Sequence, residues 1–200
     1  MLDWLKNINK EYPEFWKAYL SKFESKPKTK RFVTLSSENT GLNIQKDVIL
    51  SLDSIGVIND CIVINDSFDV VLLQYKYLHD NGLSNEFIIQ SKQTKLPEPQ
   101  AIQAFIEYIG NAILVGYRID NDVEMINEAL EKMNCGRLKN EAIDVEIMYQ
   151  KWKDNNDKPF SLETLYADFK IPVGDVVTST EEAYNIALLF LKLKSRLGIR

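Results

Sequence analysis

Two β-rich runs that meet across Asn59-Asp60 constrain this chain more than any other feature. Residues 47–58 and 61–73 are rich in Val, Ile, Leu and Phe, and only those two turn-forming residues separate them. A two-residue Asn/Asp link between such runs makes a tight hairpin, because both residues tolerate the left-handed backbone that matches the twist of paired strands. A third apolar run, 31–37, precedes them. If it pairs with 47–58 about a centre between residues 44 and 45, Asp53 falls opposite Ser36. The chain therefore reads as opening its sheet with three antiparallel strands.

Beyond residue 97 the pattern changes to alternating helices and strands. Helix 98–109 places Ile102, Phe105, Ile106 and Ile109 on one side, and the short run 112–115 reads as a buried strand. Helix 121–134 follows with Asp122, Met125, Ile126, Ala129 and Met133 on one face, then a strand at 142–145 and a helix at 146–153. Ser161 caps a helix through Phe169. A last helix, 181–197, turns Ala183, Ile186, Ala187, Phe190 and Leu193 inward. Lys192, Lys194, Arg196 and Arg200 complement the end of that helix. Residues 74–95, which include the only histidine, His79, carry a weak pattern and read as loop with room for a short helix.

The amino-terminal stripe Tyr12, Phe15, Trp16, Tyr19 and Phe23 recurs at helical spacing over residues 1–24. It serves either to pack against the domain or to meet a protein partner. Residues 1–30 are thus expected to be a helical extension and linker, and 31–200 one α/β domain with a mixed sheet flanked by helices.

The 200 residues, 45% hydrophobic and 26% charged, suit one globular domain of ordinary composition. A net charge of −5 argues against a chain that coats nucleic acid by bulk electrostatics. No apolar run approaches the roughly 20 residues needed to span a bilayer. Cys61 and Cys135 stand in no metal-ligand spacing, and a reducing cytoplasmic setting is expected.

Motifs narrow the reading. Leu35-Ser36-Ser37-Glu38-Asn39-Thr40-Gly41-Leu42 resembles the D-x-E-T-T-G-L motif of the proofreading-type 3′–5′ exonucleases. This is the DEDD superfamily, which includes the epsilon subunit of DNA polymerase III. The run 47–55 is similar to that family's second strand. Residues 114–122 are similar to L-V-G-H-N-x-x-F-D, keeping Gly116 and Asp122 and carrying Tyr117 and Arg118 for His and Asn. Residues 138–144, 161–165 and 169–172 follow in family order. The final motif, H-x-A-x-x-D-A, falls on Val177 to Ala183, with Glu182 for the Asp.

The resemblance implies a ribonuclease H-like fold, Mg²⁺ or Mn²⁺ as cofactor, and a single-stranded DNA or other nucleic-acid end as partner. Such nucleases place two ions about 3.5–4 Å apart between converging carboxylates. Glu38, Asp122 and Glu182 are then the catalytic and metal-binding residues. Ser36 stands where the family has its first Asp and Val177 where it has its His, so both are degenerate positions. Asp53 and Asp120 are possible compensating acids. First-turn Asp122 and Glu182 also have a simpler reading, since acids there are favoured by the helix dipole in any protein. Two functional readings follow: a 3′–5′ exonuclease-like protein whose hydrolysis is weak or lost, and an inactive exonuclease-fold module that binds nucleic acid or a protein.

Overall fold

The computed structural model describes residues 11–25, 27, 29–74, 93–155, 158–174 and 179–199. His79 and Val177, and most of 74–95, lie outside the described residues. Six strands form one sheet in the order β4-β3-β2-β1-β5-β6. They are β1 (Arg31–Asn39), β2 (Ile49–Ile58), β3 (Cys61–Leu73), β4 (Thr94–Pro97), β5 (Ile113–Gly116) and β6 (Ala142–Asp144). The first three are antiparallel neighbours, and β4, β5 and β6 join in parallel. Asn59 and Asp60 both adopt positive φ, 52° and 59°, as the hairpin link requires. The β1–β2 register pairs Ser36 with Asp53, as the expected hairpin centre demands.

Among the described residues six helices cover the sheet: α1 (Glu14–Ser21), α2 (Glu98–Ile109), α3 (Ile119–Lys132), α4 (Val145–Lys153), α5 (Leu162–Asp168) and α6 (Ser179–Leu197). Alternation along the strands divides them into two layers. Val33, Leu35, Leu52 and Leu114 share one core with α1, α2 and α3. Phe32, Ile55, Val57 and Val115 face α4, α5 and α6. Ser161 caps α5 as expected, its Oγ accepting from the Thr164 N–H at 3.3 Å.

Two expectations need correction, and one choice between readings is decided. Thr94–Pro97 is a strand rather than loop; it completes the far edge by pairing with β3. The α1 stripe belongs to the protein's own core: Trp16 and Tyr19 are each 1% exposed. The Tyr19 phenol accepts from the Lys139 N–H and donates to Asn140 Oδ1, both at 2.7 Å. That face is not open to a partner. Lys194 does not serve the helix end either; it is buried, and its ammonium crosses to Asp60 in the β2–β3 turn.

Candidate active site

The carboxy-terminal half of β1 carries the site, because α3 and α6 both begin beside it from opposite layers. Neighbouring serines divide the work. Ser36 faces the α6 layer, where its Oγ donates to Glu182 Oε1 at 2.8 Å. Ser37 faces the α3 layer, where its Oγ donates to Asp122 Oδ1 at 2.7 Å. Asn39 Nδ2 donates in turn to Ser37 Oγ at 2.8 Å. Upstream, Thr34 Oγ1 donates to the Ala183 carbonyl at 2.8 Å and anchors the first turn of α6 against β1.

The carboxylates feel one another. Burial raises the Glu38 pKa above its ordinary value, and the charges of Glu182 and Asp53 raise it further. Burial pushes Asp122 up to about 7; the Ser37 hydrogen bond opposes this, and Glu182 and Asp144 add to it. Asp53 is likewise raised by burial, against the pull of the Ser179, Thr180 and Ser51 hydroxyls. Among the described residues none of Glu38, Asp53, Asp122 or Glu182 forms an ion pair. Thr180, which holds Asp53, also lines a groove of about 440 Å³ with Ser54, Ile55, Glu181, Tyr184 and Asn185. Of the four acids only Asp53 borders that groove, through Thr180; none of them lines it.

The turn that carries the first motif is built by Asp47. Its Oδ1 accepts from Thr40 Oγ1 at 2.9 Å and its Oδ2 from the Asn43 N–H at 2.8 Å. A Cβ at Gly41 would lie 2.5 Å from that carboxylate, so the close approach requires glycine. Position 118 explains another motif residue. Its φ is 51°, left-handed, where Asn is tolerated better than most side chains. Arg118 occupies it instead and donates from Nε to Glu146 Oε2 at 2.9 Å.

No family model matches the chain. The DNA polymerase III epsilon subunit of Aquifex aeolicus (strain VF5) is 19% identical over 174 residues, covering 84% of this chain and 83% of that protein. Solved structures share the fold. Exonuclease I bound to an inhibitor superposes with a TM-score of 0.66 at 14% identity, over 86% of this chain and 42% of that one. Exonuclease X in complex with 5′ overhanging duplex DNA gives 0.56 at 16%, over 84% of this chain and 94% of that one. The chain is distantly similar in sequence to that epsilon subunit and shares the fold of these exonucleases. Its sheet is that of the ribonuclease H-like exonucleases, and it spans less than half of the exonuclease I chain.

Glu38, Asp122 and Glu182 come from a strand and two helix starts, and the charge of Glu182 is felt by both Glu38 and Asp122. Asp120 is exposed on α3, two residues from Asp122 and so turned off its face; it is not brought to the cleft. All-oxygen donors suit Mg²⁺ or Mn²⁺. The arrangement nevertheless does not fit a two-ion centre. Ser36 offers a neutral hydroxyl that is spent on Glu182, and among the described residues no three His, Cys, Asp or Glu side chains are grouped so as to hold an ion.

Reading the sequence missed the residues that hold the acids: Ser37, Asn39, Gln93 and Thr180. It also missed Tyr166, whose buried hydroxyl has no hydrogen-bond partner among the described residues and whose pKa is raised by burial and then by the charge of Glu182. Only Ser37 left a signal, as the residue of the first motif that strand alternation sends to the opposite layer.

Proposed function

We propose that this protein engages a single-stranded nucleic-acid end in the cleft beside β1, and that its metal-dependent phosphodiester hydrolysis is weak or lost. One observation carries the reading: the first-motif acid is Ser36, and its hydroxyl is committed to Glu182 at 2.8 Å. Glu38, Asp122 and Glu182 are the residues assigned to the reaction centre, with Mg²⁺ or Mn²⁺ the cofactor their oxygens would hold. Such an ion supplies charge neutralisation of the phosphate and a more acidic bound water when present. What the chain itself supplies is position. Ser37 fixes Asp122, Ser36 fixes Glu182, and Thr34 ties α6 to the strand between them. The solved complex of exonuclease X with DNA supports an end-binding role. The free thiol of Cys61 supports a cytoplasmic setting, and no described helix is long and apolar enough to cross a membrane.

The test is digestion of end-labelled single-stranded DNA with Mg²⁺ or Mn²⁺. Native protein should digest little, since a positioned base alone contributes about 10²- to 10⁴-fold and Val177 cannot act as one. The double change Ser36→Asp with Val177→His should raise the rate. Brisk native digestion that disappears in Glu38→Ala would show an active enzyme and sink the weak-or-lost reading. If neither form digests or binds DNA, the protein is an interaction module instead.

A further inference from the structure

The groove bordered by Thr180 carries a chemistry that the acids do not use. Its volume of about 440 Å³ suits a small organic group. Ile55, Ile64, Pro172 and Tyr184 give it apolar walls. β3 leaves its regular ladder to supply one of them. Ile55 pairs with Ser67 while the next residue, Gly56, pairs with Val63, so Ile64, Asn65 and Asp66 bulge out of the β2–β3 pairing. The Arg31–Asp66 bonds at 2.8 and 2.7 Å pin that bulge. Bulges re-aim side chains next to sites, and this one leaves Ile64 73% exposed at the groove. Tyr184, 41% exposed, adds a phenol ring that makes no hydrogen bond or ring contact among the described residues.

The polar lining points to a ligand. Asn185 is 8% exposed, lines the groove, and makes no side-chain hydrogen bond among the described residues. An amide at that depth is unfavourable unless a partner meets it. It offers an acceptor and a donor side by side, the pattern that pairs with the N6 and N7 edge of adenine. Consecutive helix residues point about 100° apart, so exposed Tyr184 stands at the rim and Asn185 farther in. No lysine or arginine lines the groove and Glu181 does, so an uncharged heterocycle is admitted where a phosphate is repelled. We propose that the groove is a nucleobase pocket, matched to adenine, in which Asn185 reads the base edge and Tyr184 supplies a stacking face. Asn185 follows Glu182 by three residues and so shares its side of α6, and Thr180 joins the groove to Asp53. The base comes from a strand end or from a free nucleoside; delivery by a strand rests on the end-binding reading above.

Titration of the full chain with adenosine in chelator, followed by calorimetry, tests this. Saturable one-to-one binding is expected, with AMP no tighter than adenosine. Asn185→Leu should weaken it about tenfold, and 7-deazaadenosine, which lacks the N7 acceptor, should bind the native chain as weakly. Tyr184→Ala should cost about fivefold or more and Tyr184→Phe little, since the ring and not the hydroxyl stacks. Should Asn185→Leu fail to fold by circular dichroism, 7-deazaadenosine reads the same contact in the native chain. No saturable binding, native affinity in Asn185→Leu or in Tyr184→Ala, native affinity for 7-deazaadenosine, or AMP about tenfold tighter than adenosine each overturn the pocket. Anisotropy of labelled oligo-dT with and without a terminal adenine distinguishes the sources. Tighter binding of the adenine-ended strand that Asn185→Leu abolishes assigns the base to a strand end, and equal binding assigns it to a free nucleoside. DNA binding without an adenosine site sinks only the pocket, and an adenosine site without DNA binding sinks only the end-binding role.

Discussion

The two ends of β1 treat carboxylates in opposite ways. At its start Arg31 grips Asp66, with Nε to Oδ2 at 2.8 Å and Nη2 to Oδ1 at 2.7 Å, while Nη1 reaches the Tyr108 carbonyl at 3.1 Å. Gly56 lets that carboxylate lie over the sheet, since a Cβ there would sit 1.9 Å from Asp66 Oδ2. Lys194 answers Asp60 nearby. At the far end Asp53, Asp122 and Glu182 are answered by serine and threonine hydroxyls and an amide, and among the described residues no cation pairs with them or with Glu38. Matched charge builds the scaffold at one end. At the other, unmatched charge leaves an electrostatic demand that a ligand can meet, and shifted pKa values mark it.

The contrast can be broken at either end. The largest effect is expected from Arg31→Ala, which leaves partly buried Asp66 without its bidentate partner; about 3 kcal/mol should be lost in urea denaturation. A loss near zero would make the scaffold end no different from solvent-exposed pairs. Next comes pH. Asp122 holds its proton up to about 7 in the folded chain but gives it up near 3.8 in an unfolded one. Folding thus binds more protons in that window, so this group's stabilisation is full below it and lost as pH rises through it. The thermal midpoint should fall over this range in chelator, and Asp122→Asn should flatten the trend. A midpoint that rises instead would contradict the burial of that acid among Glu182 and Asp144.

Ser36→Asp sharpens the comparison from within the acid cluster. It removes a donor from Glu182 and adds a charge, so about 1–2 kcal/mol should be lost in chelator and recovered on adding Mn²⁺. Loss without recovery would show that the cluster cannot organise an ion. Smallest is Asp120→Asn, expected within about 0.5 kcal/mol of native because the side chain is exposed; a larger shift would place that acid in the site after all.

Local chemistry explains which parts were legible. The hairpin at Asn59-Asp60, the pairing of Ser36 with Asp53, and the acid-bearing starts of α3 and α6 follow from turn residues and periodicity. β4 was not legible, since four residues gain strand character only by pairing with β3, a partner set by tertiary structure. Nor were the roles of Ser37, Thr180 and Gln93, because a hydroxyl or amide carries no mark of the acid it will meet. Lys194 misled for the same reason: basic residues near a helix end usually serve the dipole, and only packing against Phe32 and the β2–β3 turn diverts this one.

The bonds that tie α6 to β1 also set when the cleft can exist. Thr34 meets Ala183 across 149 residues of chain, and Ser36 meets Glu182 across 146. Contacts of such separation form late, after the loop-closure cost has been met by nearer pairings. During synthesis the hairpins and the α1–α3 layer can assemble while α6 is still being made. The arrangement is complete only when the last helix docks, so a nascent or truncated chain lacking α6 keeps Glu38, Asp53 and Asp122 but lacks Glu182 and the Thr34 and Ser36 bonds that seat it.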